Sequence, residues 1–181
     1  MNDFHTIGTT EFGDICHRLG SDWALLGAGA ERPNLMTVSW GGTGVLWGKE
    51  VAFCFVRPQR HTFSLMEKNE GFSLSFLLGA DLNAAGKERE NRYRDALKLC
   101  GTQSGRDIDK FAATGLTPAF RGKIPYPAEA GLVIFCRKLY ADDLKKSLFL
   151  DPAVLRHYYE ADDFHRMYIG EIVQILKRND R

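Results

Sequence analysis

The sequence predicts a mainly β protein, a small antiparallel barrel with appended helices, and three observations lead to this prediction. Segments rich in apolar, β-branched and aromatic residues outnumber the segments with helical spacing. The helical segments are inserted between strands, without the regular strand–helix alternation of a doubly wound parallel sheet. The length of 181 residues and a hydrophobic content of 44% fit a single domain, 1–181, with its own core.

The strands are predicted from apolar runs and from the alternation of apolar and polar residues. In chain order the predicted strands are 22–29, 35–40, 45–47, 51–56, 72–77, 131–140 and 168–176. The run 51–56 is apolar on both faces, which is typical of a buried strand. In 72–77 apolar residues alternate with serines, the pattern of a half-buried strand. Between two of the strands, Gly41, Gly42 and Gly44 predict a flexible corner.

Helices are predicted at 11–20, at 62–69 and from Glu88 onward. The last helix has apolar residues at the amphipathic spacing i, i+3, i+4 and i+7, namely Tyr93, Ala96, Leu97 and Cys100. The polar and charged stretch 81–91 is predicted to be a surface excursion that leads into this helix. The stretch 116–130 holds three prolines and is predicted to be a loop.

Composition and charge argue against several function classes. A formal net charge of +1 gives no electrostatic case for a nucleic-acid partner, which is usually bound by a basic face or stripe. No apolar run approaches the ~18 residues that a membrane-spanning helix needs, and the N-terminus lacks the pattern of a signal peptide. We therefore expect a cytoplasmic protein with neither a nucleic-acid nor a membrane partner. The four cysteines lack the spacing of metal ligands, so we expect reduced structural thiols and no metal.

The segment V-R-P-Q-R-H-T places two arginines where a predicted strand turns into a predicted helix. The N-terminus of a helix has free N–H groups and the positive end of the helix dipole, so it attracts anions. Arg57 and Arg60 add guanidinium groups that suit phosphate oxygens, and Thr62 adds a hydroxyl donor. The alternative interpretation is that both arginines pair with surface carboxylates. The local pattern leaves these two interpretations open.

A second basic segment, S-G-R-D-I-D-K, has the features of a helix start. Ser104 followed by Asp107 resembles a capping box, and Gly115 is placed to end the helix. The same segment brings Arg106 and Lys110 close to a helix N-terminus, so it can also favour an anion. Two such segments in a nearly neutral chain suggest one ligand that carries phosphate or several polar edges.

The segment P-N-L-M-T-V-S-W-G-G combines a polar strand face with a large aromatic residue. Thr37 and Ser39 share one face of the predicted strand, and Trp40 and two glycines follow. A strip of main chain beside an aromatic ring, with glycines that allow close approach, suits a flat heteroaromatic ligand with hydrogen-bonding edges. The alternative is an ordinary strand with its polar face in water and Trp40 in the core.

Near the end of the chain, the segment D-D-F-H-R-M-Y-I-G-E-I places a carboxylate on an apolar strand face. Glu171 shares that face with Ile169 and Val173, so we expect it to be paired or hydrogen-bonded. A structural ion pair is the favoured interpretation, with His165 and Arg166 as candidate partners. Alternatively, His165 lines the mouth of a site.

These segments together resemble a known family. The motifs N-x-M-T-x-S-W at 34–40, V-R-P-Q-R-x-T at 56–62, C-G-x-x-S-G-R-D-x-D-K at 100–110 and H-R-x-Y-I-G-E-I at 165–172 occur in this order. Each motif is weak alone, but the ordered set resembles the flavin reductase-like, FMN-binding split-barrel family, and its flavoredoxin branch most closely. The resemblance runs from about residue 23 to about residue 176.

The resemblance implies a six-stranded antiparallel Greek-key barrel, the FMN-binding split barrel, and a homodimer with one FMN per subunit near its interface. The residues that it implies for the cofactor are Asn34, Thr37, Val38, Ser39 and Trp40 beside the isoalloxazine, Arg57, Arg60 and Thr62 at the phosphate, and Ser104, Gly105 and Lys110 at the border of the site. Trp47 and His165 are candidates for the site mouth. The charged stretch 81–91 departs from a minimal version of the family, which bears on the shape of that mouth.

In this resemblance the flavin does the chemistry, and no catalytic side chain is implied, because hydride transfer to the flavin N5 needs no side-chain acid or base. Main-chain donors between Thr37 and Trp40 are expected at the O4/N5 edge. Lys110 is the candidate cation for the N1/O2 edge, with the phosphate as its alternative partner. Three functions compete: an NAD(P)H-dependent flavin reductase, a flavoredoxin-like carrier that exchanges electrons with a protein donor or acceptor, and an FMN- or nucleotide-binding module without redox turnover.

Overall fold

The fold is that of a computed structural model in which residues 3–77 and 82–179 are described. Its strands are β1 (Phe4–Thr6), β2 (Ala24–Ala28), β3 (Asn34–Val38), β4 (Gly41–Leu46), β5 (Lys49–Val56), β6 (Gly71–Phe76), β7 (Pro118–Arg121), β8 (Ile124–Pro127), β9 (Leu132–Asp143) and β10 (Arg166–Arg178). Its α-helices are α1 (Ile15–His17), α2 (His61–Lys68), α3 (Leu82–Thr102), α4 (Lys110–Thr114) and α5 (Pro152–Tyr158), with further helical turns of other types at Thr9–Glu11, Arg18–Asp22 and Lys146–Leu148.

The strands form one large antiparallel sheet and one small ribbon. The sheet has the order β3-β2-β6-β9-β10-β5-β4, and β1 pairs with β10 outside this path. The ribbon consists of β7 and β8. The prediction of a mainly β protein with inserted helices is therefore confirmed. Within the described residues the sheet contains eight strands rather than six, and its end strands β3 and β4 do not pair with each other.

Two hydrophobic clusters lie on opposite faces of the sheet. Phe72, Leu74 and Phe76 of β6 project into the larger cluster, where they pack with residues of the other long strands. The second cluster holds the helix α3 against β2 and β3, and its members include Leu25, Leu35, Tyr93, Ala96, Leu97, Cys100 and Phe111. The amphipathic spacing predicted for this helix is confirmed, because its apolar stripe is the face that packs on the sheet.

The strand predicted as half-buried is buried on both faces. Ser73 and Ser75 of β6 are as inaccessible as the apolar residues between them, because the β7–β8 ribbon covers the outer face. The Ser73 hydroxyl donates a hydrogen bond of 2.6 Å to the Pro125 carbonyl of that ribbon. The ribbon lies in the stretch predicted to be a loop, so that prediction was wrong. Prolines are tolerated there because the two short strands pair only with each other.

The glycines predicted as a flexible corner belong to β4 instead. They pair along β5, and Gly42 lies directly beneath a ring of that strand. A Cβ atom on Gly42 would lie 2.7 Å from Cζ of Phe53. At Gly41, with φ of +151°, a Cβ atom would lie 2.3 Å from the Phe53 carbonyl oxygen. Gly41 and Gly42 therefore serve close strand packing rather than flexibility, whereas a Cβ atom at Gly44 would have no neighbour within 4 Å among the described residues.

Two other segments differ from the prediction. The part 82–91 of the charged stretch is the first half of α3, which bends at Gly86, and residue 81 lies outside the described residues. The helix there carries exposed charge, including an i, i+4 ion pair of 3.0 Å between Glu90 and Arg94. The predicted helix 11–20 is broken into α1 and the turns around it, and Asp14 caps α1 through the N–H groups of the second and third helix residues.

Within residues 3–77 and 82–179, no helix combines the length and the apolar character needed to cross a membrane. Over the same part of the chain, no group of three or more His, Cys, Asp or Glu side chains is placed to hold a metal ion.

Candidate functional site

One candidate site is a cavity of about 400 Å³ between the N-terminus of α2 and the loop that joins α3 to α4. Among the described residues, its wall contains four basic side chains and no carboxylate; the basic ones are Arg57, Arg60, Arg106 and Lys110. We call this space the basic cavity. A cavity of this size is in the range that binds small-molecule ligands, and its charge selects for an anion.

Main-chain carbonyls hold the basic side chains in place. Arg60 donates from Nη1 to the Gly101 carbonyl at 3.0 Å, and Lys110 donates from Nζ to the Cys100 carbonyl at 2.8 Å. Arg106 donates to the Gln59 carbonyl at 3.2 Å. In the described part of the chain, none of these three cations has a carboxylate within ion-pair distance. Carboxylates of the described residues therefore do not neutralise these three formal charges.

Arg57 differs from the other cations of the wall. It forms an ion pair with Asp163, donates a hydrogen bond of 2.9 Å to the Tyr158 carbonyl, and lies over the ring of Tyr159 at 5.5 Å. The alternative interpretation of V-R-P-Q-R-H-T, that both arginines pair with carboxylates, therefore holds for one of the two arginines. Arg57 is paired with a carboxylate, whereas Arg60 has no carboxylate partner in the ranges 3–77 and 82–179.

Burial and mutual repulsion both perturb the basic groups. Lys110 is only 4% exposed, and its pKa is lowered first by burial and further by Arg60, which outweigh the opposing contribution of Cys100. The pKa of His61, also in the wall, is lowered by burial and then by Arg106, Arg32 and Lys110. Neighbouring cations thus lower the pKa values of both Lys110 and His61, which indicates a site that an anion would stabilise.

The N-terminus of α2 forms one side of the basic cavity. No side chain caps this helix, whose N-cap residue is Arg60. Thr62 in its first turn lines the cavity, and its hydroxyl oxygen accepts a hydrogen bond of 2.8 Å from Nδ2 of Asn34. The uncapped N-terminus, the helix dipole and the neighbouring cations therefore all favour an anion in the basic cavity.

A second cavity of about 210 Å³ adjoins the first and shares Met36, Arg57 and Arg60 with it. The strand segment from Met36 to Trp40 forms one wall, and Phe55 and His165 complete it. We call this space the strand cavity. One elongated ligand can therefore place an anionic group in the basic cavity and a flat ring in the strand cavity.

Aromatic side chains surround the mouth of the strand cavity. Trp40 is 40% exposed, so the alternative that it lies in the core is wrong. Its ring meets Tyr158 edge-on at 5.2 Å and His165 at 5.0 Å between centroids. His165 is buried and its Nδ1 is hydrogen-bonded to the Tyr159 hydroxyl at 2.9 Å. Burial, followed by Arg57 and Arg60, lowers the pKa of His165 to about 4, against the weaker effect of Asp163.

The structure brings most of the residues implied by the resemblance to these two cavities. The basic cavity contains Arg57, Arg60, Thr62, Ser104, Gly105 and Lys110, and the strand cavity contains Thr37, Val38, Ser39, Trp40 and His165. Asn34 lines neither cavity and lies behind Thr62. Trp47 lies in the turn between β4 and β5, where it packs on Tyr140 at 6.2 Å, whereas β5 reaches the cavities at its other end. Within one chain, Trp47 is therefore not at the site mouth.

The start of α4 differs from the interpretation of the S-G-R-D-I-D-K motif. The residue that caps α4 is Asp109, which accepts hydrogen bonds from the N–H groups of Phe111 and Ala112, and not Ser104. Ser104 instead accepts from the Arg106 N–H at 3.2 Å, while Gly115 ends the helix with φ of +64°, as predicted.

The ion pair predicted for Glu171 is present, but with other partners. The carboxylate pairs with Lys49 at 2.7 Å and with Arg137, both on neighbouring strands, and with neither His165 nor Arg166.

Some lining residues were not among those predicted for the site. Gln59 and His61 stand inside the V-R-P-Q-R-H-T segment, so the motif itself carried the signal for them. Arg106 lines the basic cavity. Its segment predicts an affinity for anions, but the resemblance does not include it among the cofactor residues. Phe55 could not be predicted as a lining residue, because it lies in an apolar run whose pattern predicts that every residue is buried in the core.

A family model described as flavin reductase like domain matches residues 16–181. No curated protein matches the chain. Among solved structures, the chain is similar to a flavoredoxin from Methanosarcina acetivorans, with 20% identity, a TM-score of 0.56, and coverage of 85% of this chain and 67% of that one. It is similar to an FMN-binding domain of a flavin reductases-like enzyme from Shewanella baltica OS155, with 15% identity, a TM-score of 0.64, and coverage of 98% and 78%.

A third similar structure is a flavin reductase-type protein with a split barrel domain from Shewanella frigidimarina NCIMB 400, with 18% identity, a TM-score of 0.62, and coverage of 97% and 76%. At these low identities, the three similarities are evidence about the fold alone. They agree with the predicted fold class, a split barrel built mainly of antiparallel strands.

The lowered pKa of His165 predicts how stability depends on pH. The unfolded chain binds a proton at this residue near its ordinary pKa of 6.5, whereas the folded chain does so only near 4. Stability is therefore fully present above about pH 6.5 and falls as the pH is lowered toward 4. We expect His165→Gln to remove this part of the pH dependence from the urea midpoint measured between pH 7.5 and 4.5.

The matched control is His17→Gln, because His17 is exposed on α1. This control should keep the slope of the parent protein. A His165→Gln variant whose midpoint falls as steeply with pH as the parent's would show that this imidazole does not stay neutral in the folded chain.

Proposed function

Since the chain belongs to the flavin reductase-like family, we propose that it is a flavin-dependent redox protein that holds FMN across the two cavities. In this proposal the phosphate occupies the basic cavity and the isoalloxazine the strand cavity. The observation that carries the proposal is the wall of the basic cavity, in which Arg60, Arg106 and Lys110 have no carboxylate partner among the described residues. A phosphate monoester with a charge of about −2 would supply the missing counter-charge.

The residues of the basic cavity fit a phosphate in chemistry as well as in charge. Arg60 can offer the remaining N–H groups of its guanidinium, and Lys110 its remaining ammonium protons. Thr62 adds a hydroxyl, and the first turn of α2 adds main-chain donors. Because Lys110 lines the basic cavity and not the strand cavity, we assign it to the phosphate rather than to the N1/O2 edge of the ring.

The strand cavity fits a flat ring with polar edges. Residues from Met36 to Ser39 offer a strip of main chain, while Phe55, Trp40 and His165 offer aromatic surface. His165 is uncharged near neutral pH because of its lowered pKa, so it adds no positive charge beside the ring. FMN, when bound, supplies the hydride-accepting and electron-carrying chemistry. The chain's own part is to bind the ring, orient it and limit its contact with water.

For the source of electrons we propose NAD(P)H, which makes the chain an NAD(P)H:flavin oxidoreductase. A carrier that takes electrons from a protein donor is the second candidate, and a binding module without redox turnover is the third. The exposed edge formed by Trp40 and Tyr158 beside the strand cavity leaves the ring site accessible to either a nicotinamide or a protein.

We further propose that the protein acts as a homodimer. The β4–β5 hairpin presents apolar side chains to solvent, with Val45 77% and Trp47 59% exposed, and Tyr140 and Val173 lie exposed on the neighbouring strands. β4 is an end strand of the sheet, so its outer edge is open to a partner. A second copy that covers this surface would bring Trp47 into an interface, which accounts for its distance from the cavities within one chain.

The cofactor and the electron donor are tested on one purified sample. We expect heat to release FMN, rather than FAD, as the main flavin, because the site has one phosphate-binding cluster and the chain carries no dinucleotide fingerprint. Anaerobic addition of NADH or NADPH should then bleach the flavin absorbance. Recovery of FAD would contradict the cofactor proposal. Bleaching by dithionite alone would favour the protein-fed carrier over the reductase.

Arg60→Ala should weaken FMN binding by about 10- to 100-fold, which is what the loss of a hydrogen bond between charged groups costs. Its effect on unfolding should be small, because Arg60 contributes one bond to a carbonyl. Fluorescence titration of the apoprotein with FMN measures the first effect and urea unfolding the second. The matched control is Arg156→Ala, an exposed arginine of α5. Unchanged FMN affinity in Arg60→Ala would reassign this arginine to a structural role.

The dimer is tested by light scattering. We expect a mass of about twice the chain mass of 20.4 kDa, with FMN bound, and an interface above about 2,000 Å² if it is obligate. Trp47→Asp should produce monomers that bind FMN less tightly, because in this proposal the second subunit forms part of the wall of the FMN site. Leu150→Asp, which changes an equally apolar residue that is almost fully exposed outside the hairpin, is the control. A monomeric parent protein with tightly bound FMN would contradict the proposal.

A further inference from the structure

Asn34 is a buried polar residue whose side chain stands directly behind the wall of the basic cavity. It is 4% exposed, and it lines neither cavity. Its Nδ2 donates a hydrogen bond of 2.8 Å to Oγ1 of Thr62, which is itself 1% exposed and does line the basic cavity. Asn34 therefore acts on the cavity through another residue.

The direction of this bond fixes what the Thr62 hydroxyl can do. An amide N–H is only a donor, so the hydroxyl oxygen is the acceptor and its own proton must point elsewhere. Among the described residues, no acceptor takes a hydrogen bond from this hydroxyl. The side of Thr62 that faces the cavity therefore carries a proton to donate.

Gly105 leaves the space that Asn34 occupies. A Cβ atom at this position would lie 2.0 Å from Oδ1 and 2.8 Å from Cγ of Asn34. Both contacts are far inside van der Waals distance, so any side chain at this position would displace the amide from Thr62. The absence of a side chain at Gly105 therefore allows the observed orientation of Asn34, in addition to leaving space for a ligand.

We propose that Asn34 is a positioning residue that directs the Thr62 proton toward the basic cavity, so that the cavity prefers an ionised phosphate to the terminal hydroxyl of an unphosphorylated flavin. This inference rests on the proposed FMN site. An ionised phosphate oxygen accepts strong hydrogen bonds, which matches the Thr62 proton and the cations Arg60 and Lys110 in the wall. The terminal hydroxyl of riboflavin carries no charge, so it forms a weaker hydrogen bond with Thr62 and gives the cations no counter-charge.

The test compares FMN with riboflavin in matched variants of the apoprotein by fluorescence titration. Asn34→Asp replaces the amide donor by an acceptor, so the Thr62 proton should turn away from the cavity. We expect this variant and Thr62→Val each to lose about 10- to 100-fold in FMN affinity, with riboflavin affinity changed less than threefold. Thr62→Ser keeps the hydroxyl and should retain most of the parent's preference for FMN.

The charge change of Asn34→Asp needs its own control. Asn69 ends the same helix, α2, and donates its amide to the Leu65 carbonyl at 2.8 Å, on the side remote from the cavity. Asn69→Asp should therefore leave the ratio of FMN to riboflavin affinity unchanged. If Asn34→Asp does not fold, as judged by thermal unfolding, Thr62→Val and Thr62→Ser still decide the outcome.

The failures of this inference and of the proposed function can be told apart. A parent protein that binds FMN no better than riboflavin would overturn the phosphate site itself. A parent protein that prefers FMN, with an unchanged preference in Asn34→Asp or in Thr62→Val, would overturn only the role of the Asn34–Thr62 pair.

Discussion

The candidate site depends on one set of interactions, the hydrogen bonds that the last carbonyls of α3 accept. In the last turn of α3, the Cys100 carbonyl accepts a hydrogen bond from Lys110 and the Gly101 carbonyl accepts one from Arg60. Carbonyls at the C-terminus of a helix lack partners within the helix and carry its partial negative charge. They can orient two cations without neutralising them. A carboxylate in the same place, like the Asp163 that pairs with Arg57, would leave little charge for a ligand.

The packing of α3 therefore supports the site. The helix is held on β2 and β3 by its apolar stripe, and the same stripe ends at Cys100, next to the carbonyls that receive the cations. β3 contributes both to this packing and to the wall of the strand cavity. The cost of burying Lys110 and crowding it against Arg60 is visible in its lowered pKa, and a bound anion would offset that cost.

Local sequence patterns predicted the strands of the large sheet other than β1, and the two basic segments that line the basic cavity, because alternation and helix-start motifs are properties of neighbouring residues. They did not predict features set by residues far apart in the chain. The pairing of Arg57 with Asp163 and the role of Asn34 behind Thr62 depend on the tertiary fold. The β7–β8 ribbon was not predicted, because the prolines of this stretch indicate a loop. An isolated two-stranded ribbon nevertheless tolerates these prolines.

The central claim, that unneutralised cations hold a phosphate dianion, is tested most directly by phosphorus NMR of the bound flavin. The second pKa of a free phosphate monoester is about 6, so its resonance moves as the pH is lowered from about 8 to about 5. Nearby cations favour the charged form and lower that pKa. The account predicts that the bound resonance stays at the dianion position over this range, while free FMN in the same sample titrates normally. A bound phosphate that titrates near pH 6, as the free one does, would contradict it.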